Sequence, residues 1–398
     1  MRKRLAALGV AGVAACAMLL MSSASVGAKG APIKLMDIGA IQAPGFSLPS
    51  IPVGAQIAIN QINKAGGVNG HPLTLITCND MNNPNTATGC AREAITDKVA
   101  AVVGGLSIFD LDIIPYLQQA GIPWIGPATP DDYTSRNLFL LGDEGTPAYV
   151  AIGMALAQQG CKKIAVVLSA ESVPVYATEI AAGVTAAATG AKVVGTYTPP
   201  ATSPDWASIV SAVRAAGADC IAGGTGPAET GGLIAAVDAG PKLKIALLSG
   251  GIPSTLLTQL GASANGVEAL SGYLPETSKL GEVPYLVKQS KALAPSVPFD
   301  AFTEHGYASV MVFAHAAQGL KTVTAATIMK ALPKVKNYNT GLGPVVSFQH
   351  APVVTFPRLF NPLYFVYVAR NGNFDLAQTK KINATAGLEL LPAPAPVK

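Results

Sequence analysis

The feature that most constrains this chain is an alternation. From residue 33 onward, short apolar runs and amphipathic runs follow one another at a regular pitch. IKLMDIG (33–39) reads as a strand, and residues 50–65 place Val53, Ile57, Ile59 and Ile62 at helical spacing. PLTLITC is a strand, 85–99 a helix, AAVVGG a strand, FDLDIIPYLQQA a helix and IPWIG a strand. After LFLLG the pattern restarts: helix 146–160, strand KIAVVL, helix 175–189, strand KVVGTYT, helix 205–216, strand CIAGG, helix 227–239, strand KIALLSG. Strands alternating with helices of this length form βαβ units, hence parallel sheets with helices on both faces. Two such runs predict an α/β fold of two doubly wound lobes. Past residue 300 the chain offers two helices (300–320 and 324–332) and one late strand, NPLYFVYV. That is too little for a third domain, so the chain returns to complete the first two.

The glycine clusters are read by polarity. AGGVNG (65–70) follows a helix and precedes a strand. Phosphate cradles need the opposite order, because the free N–H groups belong to a helix start. Its glycines therefore end a helix, and Asn69-Gly70 makes a tight turn. GGTGPAETGG (223–232) does follow a strand and open a helix, but its spacing is not GxGxxG, and no GK[ST] occurs. Nucleotide binding is not implied; a small polar ligand group at this helix start is compatible. GGLSI (104–108) is close to a nucleophile elbow, yet Phe109 stands where the second glycine is required. The bland reading of Ser107 is a ligand contact at a strand's carboxyl end, and GPATPDDYT (126–134) can sit beside it.

The first residues, MRKR, precede an apolar stretch over 5–21, and Val26 and Ala28 occupy the small positions of a cleavage site. This is a secretory signal peptide cleaved after Ala28. Two competing readings are a lipoprotein box VAAC, which would leave a lipid on Cys16, and an uncleaved signal anchor. No later stretch is long and apolar enough for a membrane span. Export makes disulfides available to Cys78, Cys90, Cys161 and Cys220. A Cys78–Cys90 bridge would staple a strand to the next helix. Cys161 and Cys220 can bridge if the strands they introduce are parallel neighbours. Buried free thiols are the other reading. Metal spacing such as CxxC or HxxxH is absent, and the four histidines are scattered. The net charge of +4 is spread out, with no basic run interleaved with aromatics, so nucleic acid is not implied.

The segments GAQIAINQINKAGGVNGHPLTLITCND, AAVVGGLS, AGIPWIGPAT, KIAVVLSAESVPVYATEIAAGV and GYASVMVFAHAAQGL, in this order over about 33–370, carry a resemblance. The chain resembles the type I periplasmic solute-binding proteins of ABC transporters, in the branched-chain amino-acid (leucine/isoleucine/valine) binding family. The resemblance implies two lobes joined by three crossings that close on a small ligand, a monomer that docks on a membrane permease, no cofactor and no catalysis. It implies lobe 1 over 29–144 plus 274–352, lobe 2 over 145–273 plus 353–390, and a loose tail at 391–398. The ligand contacts it carries over are Ser107, Ala128 and Thr129, the apolar wall Phe302, and Ser172, Thr225 and Gly226 in lobe two. Two departures stand out. The lobe-two aromatic place holds Val173-Pro174, and the acid that pairs with an α-amine is replaced by Ser249-Gly250-Gly251. Glu229 is near in sequence but sits in a helix's first turn, where an acid is expected anyway. A buried ammonium without a counter-charge costs several kcal/mol, so a carboxylate, amide or apolar ligand is expected. The alternatives are a ligand sensor of the same fold, located like the transporter protein in the periplasm or at the cell surface, and an exported serine hydrolase at Ser107.

Overall fold

The computed structural model describes residues 30–394 apart from 44–46, 129–131, 143–144, 170–172, 200–204 and 379. The signal-peptide and Cys16 expectations therefore lie outside the described residues, as do Thr129 and Ser172. Lobe one begins with β1 (Ile33–Gly39), α1 (Ser50–Lys64), β2 (Leu73–Asn79), α2 (Pro84–Thr96), β3 (Ala101–Val103), α3 (Asp110–Ala120), β4 (Trp124–Ile125) and β5 (Leu138–Phe139). Its sheet is parallel throughout, in the order β2-β1-β3-β4-β5.

Lobe two follows with α4 (Thr146–Gln158), β6 (Lys163–Leu168), α5 (Val173–Ala186), β7 (Lys192–Tyr197), α6 (Trp206–Ala215), β8 (Cys220–Gly224), α7 (Pro227–Asp238), β9 (Lys244–Leu248), α8 (Ser254–Leu260) and β10 (Glu268–Ser271). The chain then returns to lobe one with α9 (Val283–Leu293), α10 (Ala301–Ala317) and α11 (Ala325–Ala331). It ends in lobe two with β11 (Leu363–Arg370), β12 (Asn373–Leu376), β13 (Ile382–Asn383) and α12 (Thr385–Leu388). The second sheet runs β12-β11-β10-β9-β8-β6-β7. It is parallel from β7 to β10, but β11 is antiparallel to β10, β12 and β13. The lobe-two sheet is thus mixed, because a strand arriving from the other lobe enters without a crossover helix to set it parallel.

Helices seal each sheet through glycine pairs. A Cβ on Gly54 of α1 would stand 1.8 Å from the Thr303 carbonyl oxygen, and one on Gly306 of α10 would stand 2.0 Å from that of Ile51. In lobe two, Gly153 of α4 and Gly183 of α5 make the same approach to the Ile180 and Val150 carbonyls, at 2.2 and 2.0 Å. Backbones this close admit only glycine. Disulfides Cys78–Cys90 and Cys161–Cys220 join Cα atoms 5.7 and 6.0 Å apart. The second lies where β6 and β8 pair in parallel, with Ile164 opposite Cys220.

The AGGVNG segment does end α1, with Gly66, Gly67, Asn69 and Gly70 all at positive φ. It does more than turn the chain. The Asn69 side chain donates to the carbonyls of Ala317 and Leu320 at 2.9 and 3.0 Å and accepts from the Gly319 N–H at 3.1 Å. One asparagine of the turn after α1 therefore caps the end of α10.

Candidate ligand-binding site

The carboxyl ends of β1, β3 and β4 in lobe one, and of β6, β8 and β9 in lobe two, are where an open parallel sheet leaves a crevice. The loop after β3 is folded by two glycines at positive φ, Gly104 and Gly105. It delivers Leu106 and Ser107, both nearly buried. The Ser107 hydroxyl oxygen accepts the Phe109 N–H at 3.1 Å. That leaves its own hydrogen to give to an acceptor. The loop after β4 is tied to the first by the Ala128 N–H on the Gly105 carbonyl, 3.0 Å. Leu106, Ala128, Phe302 and Ile51 form one apolar cluster.

Phe302 spans the two lobes. A Cβ on Gly250 would meet its ring at 2.8 Å, and one on Gly251 would meet the Thr225 carbonyl at 2.7 Å. The structure therefore brings Ala128, Phe302 and Thr225 to one place through Gly250 and Gly251, with Ser107 next to Leu106. In lobe two the described predicted contacts, Thr225 and Gly226, are already engaged within the protein. The Thr225 hydroxyl lies 2.8 Å from that of Thr230, which itself donates to the Thr225 carbonyl. The Gly226 N–H is held by the Glu229 carboxylate at 3.2 Å, so this acid caps α7.

The sequence reading missed an aromatic pair. Tyr149 and Tyr176 stack at 4.0 Å and 16°, and Tyr149 covers Gly224 at the end of β8. The signal was an aromatic three residues into each of α4 and α5, which helical spacing alone does not separate from core.

Asp37, Asp300 and Glu304 approach the site, and burial acts on the carboxyls of Asp37 and Asp300. Asp37 of β1 lies fully buried beneath Gly104, with its pKa raised from 3.8 to about 8 by burial against the opposing Gly105 amide. Burial also pushes the Asp300 carboxyl up, opposed by hydrogen bonds from Thr303 and Ser50. A cavity of about 50 Å³, lined in part by Ser249, Phe299, Asp300 and Glu304, adjoins the site through Ser249. The buried histidine of lobe one, His305, is engaged by Gly126 and Tyr273 rather than by Ser107, so the geometry builds no Ser–His pair at the elbow-like segment.

The periplasmic binding protein family model matches residues 42–373. The chain belongs to that family. A Leu/Ile/Val-binding protein homologue of Brucella melitensis is 28% identical over 306 residues, covering 73% of this chain and 80% of the relative. A fatty-acid ABC-transporter substrate-binding protein from Thermomonospora curvata superposes with a TM-score of 0.74 at 18% identity, over 93% and 97% of the two chains. A solute-binding protein from Rhodopseudomonas palustris, in complex with 3,4-dihydroxybenzoic acid, gives 0.70 at 18%, over 89% and 98%. As a periplasmic binding protein the chain is extracytoplasmic, and among the described residues no helix is long and apolar enough to cross a membrane.

Proposed function

We propose that this periplasmic binding protein captures a small carboxylate or amide that carries no ammonium group, and delivers it to an ABC-transporter permease. The carrying observation is the Phe302 ring packed against Gly250. The place where the resemblance expects an acid for an α-amine is filled by a ring from the opposite lobe, and no acidic side chain fits there without displacing it. Burial opposes the charged forms of Asp37 and of Asp300. Ser107 offers a donor, and Leu106, Ala128 and Phe302 offer apolar contact. The Tyr149–Tyr176 stack supplies an aromatic face in lobe two. A hydroxyl donor set among apolar walls suits a carboxylate or amide oxygen on an apolar or aromatic body. The acids bound by the fatty-acid and dihydroxybenzoate proteins are of that chemistry. The test is a thermal-shift screen of aromatic acids, aliphatic acids, amides, amino acids and polyols. A ligand at a hundred times its Kd adds about 2.7 kcal/mol to stability. Stabilisation by leucine or valine alone would overturn the reading.

A further inference from the structure

Three hydrogen bonds run in series from lobe two through the hinge to the candidate ligand loop. Tyr367 of β11 donates its hydroxyl to the Tyr273 carbonyl. Tyr273 stands where the chain leaves lobe two after β10, its ring 3.8 Å from a Cβ placed on Gly142 of the first crossing and 3.6 Å from one on Gly343 of lobe one. Its hydroxyl lies 2.8 Å from His305 Nδ1, and His305 Nε2 lies 2.7 Å from the Gly126 carbonyl. A carbonyl only accepts, so Nε2 carries the hydrogen. Nδ1 of the neutral ring is then the acceptor of the Tyr273 O–H. Burial depresses the His305 pKa from 6.5 to about 4, which keeps the ring neutral at ordinary pH. Gly126 opens the loop that carries Ala128, and a Cβ there would stand 2.4 Å from Ser309 Oγ, so the loop start has no slack.

We propose that Tyr273 and His305 are positioning residues which tie the setting of the Gly126–Ala128 ligand loop to the relative orientation of the two lobes. The carbonyl of Tyr273 follows lobe two through Tyr367, and its hydroxyl holds lobe one through His305. A rotation at the hinge therefore pulls on Gly126. The reading of the 126–129 loop as a ligand contact underlies this proposal, but its test needs no ligand.

Amide hydrogen exchange of the ligand-free protein gives that test, with segment 124–128 compared with β8 as the lobe-two reference. Tyr273→Phe removes one hydroxyl and keeps the ring. It should speed exchange in 124–128 about tenfold, the worth of one buried hydrogen bond, and leave β8 unchanged. Tyr367→Phe, made in the other lobe, should speed the same segment. Nitrogen NMR of the unmodified protein should show His305 protonated on Nε2 and bare on Nδ1. Unchanged exchange in 124–128 in either variant, an equal rise in β8, or the opposite tautomer would overturn the proposal. A wrong ligand class would leave all three readouts as they are.

Discussion

Asp37 sets the pH response of lobe one. Its folded-state pKa of about 8 lies above the ordinary 3.8, so between those values the native protein holds a proton that the unfolded chain has released. Its contribution to stability is complete below pH 3.8 and is lost as pH rises through the window to about 8. Asp300 shifts in the same direction. His305 has the reverse sign: its pKa falls from 6.5 to about 4, so its contribution is complete above 6.5 and is lost as pH falls toward 4. Asp37→Asn should therefore flatten the fall in stability on the alkaline side of pH 4, read from urea unfolding at a series of pH values; an unchanged slope contradicts this. At the same scale, Gly250→Ala should weaken ligand binding at least tenfold through its clash with Phe302, and Phe302→Leu added to it should recover part of the loss. Calorimetry on the two variants decides it. Ala128, Phe302 and the Ser249-Gly250-Gly251 place were legible through the family resemblance, not through the alternation. The Tyr149–Tyr176 stack was not legible, because only the packing of α4 on α5 decides which of their aromatics meet.

At the scale of elements, the two glycine pairs decide how closely α1 meets α10 and α4 meets α5. Gly306→Ala would put a methyl into the Ile51 carbonyl, an overpacking that costs about 1–3 kcal/mol, measurable as a lower denaturation midpoint. The disulfides differ by loop length. Cys161–Cys220 closes 59 residues and Cys78–Cys90 only 12. Loop-closure entropy assigns them about 4 and about 3 kcal/mol. Replacing both cysteines of the longer loop by alanine should therefore lower stability more than doing so in the shorter; the reverse order would remove the entropic account. The long elements were readable from period alone. The alternation did not announce β5, β10, β12 and β13, which span two to four residues, too short for any period to register. Nor did it announce α9 (VPYLVKQSKAL).

At the scale of the molecule, the two lobes meet where the crossings pack on each other. Gly142 and Gly272 lie back to back, a Cβ on Gly272 reaching within 3.3 Å of the Gly142 Cα. The return segment into lobe two is anchored by Arg358. Its guanidinium donates to the Leu138 carbonyl from Nε at 2.6 Å and also from Nη2. It lies 4.5 and 5.0 Å from the Phe139 and Phe360 ring centres. Burial lowers its pKa to about 10, with Asp132 opposing. Arg358→Lys keeps the charge but loses the planar fork and the stacking. The family and two-lobe plan could be read from the AGGVNG setting and the repeated alternation. The Tyr367–Tyr273–His305 series could not, because its members are far apart in sequence and meet only at the hinge.

The ligand class turns on the absence of an acid at Ser249-Gly250-Gly251. Titration calorimetry of leucine against 4-methylpentanoate, which differs by the amine alone, tests it most directly, with benzoate and 3,4-dihydroxybenzoate alongside. The acids without an amine should bind the more tightly, and leucine should show no micromolar site. Micromolar leucine binding, about −8 kcal/mol, that weakens when the amine is removed would contradict it.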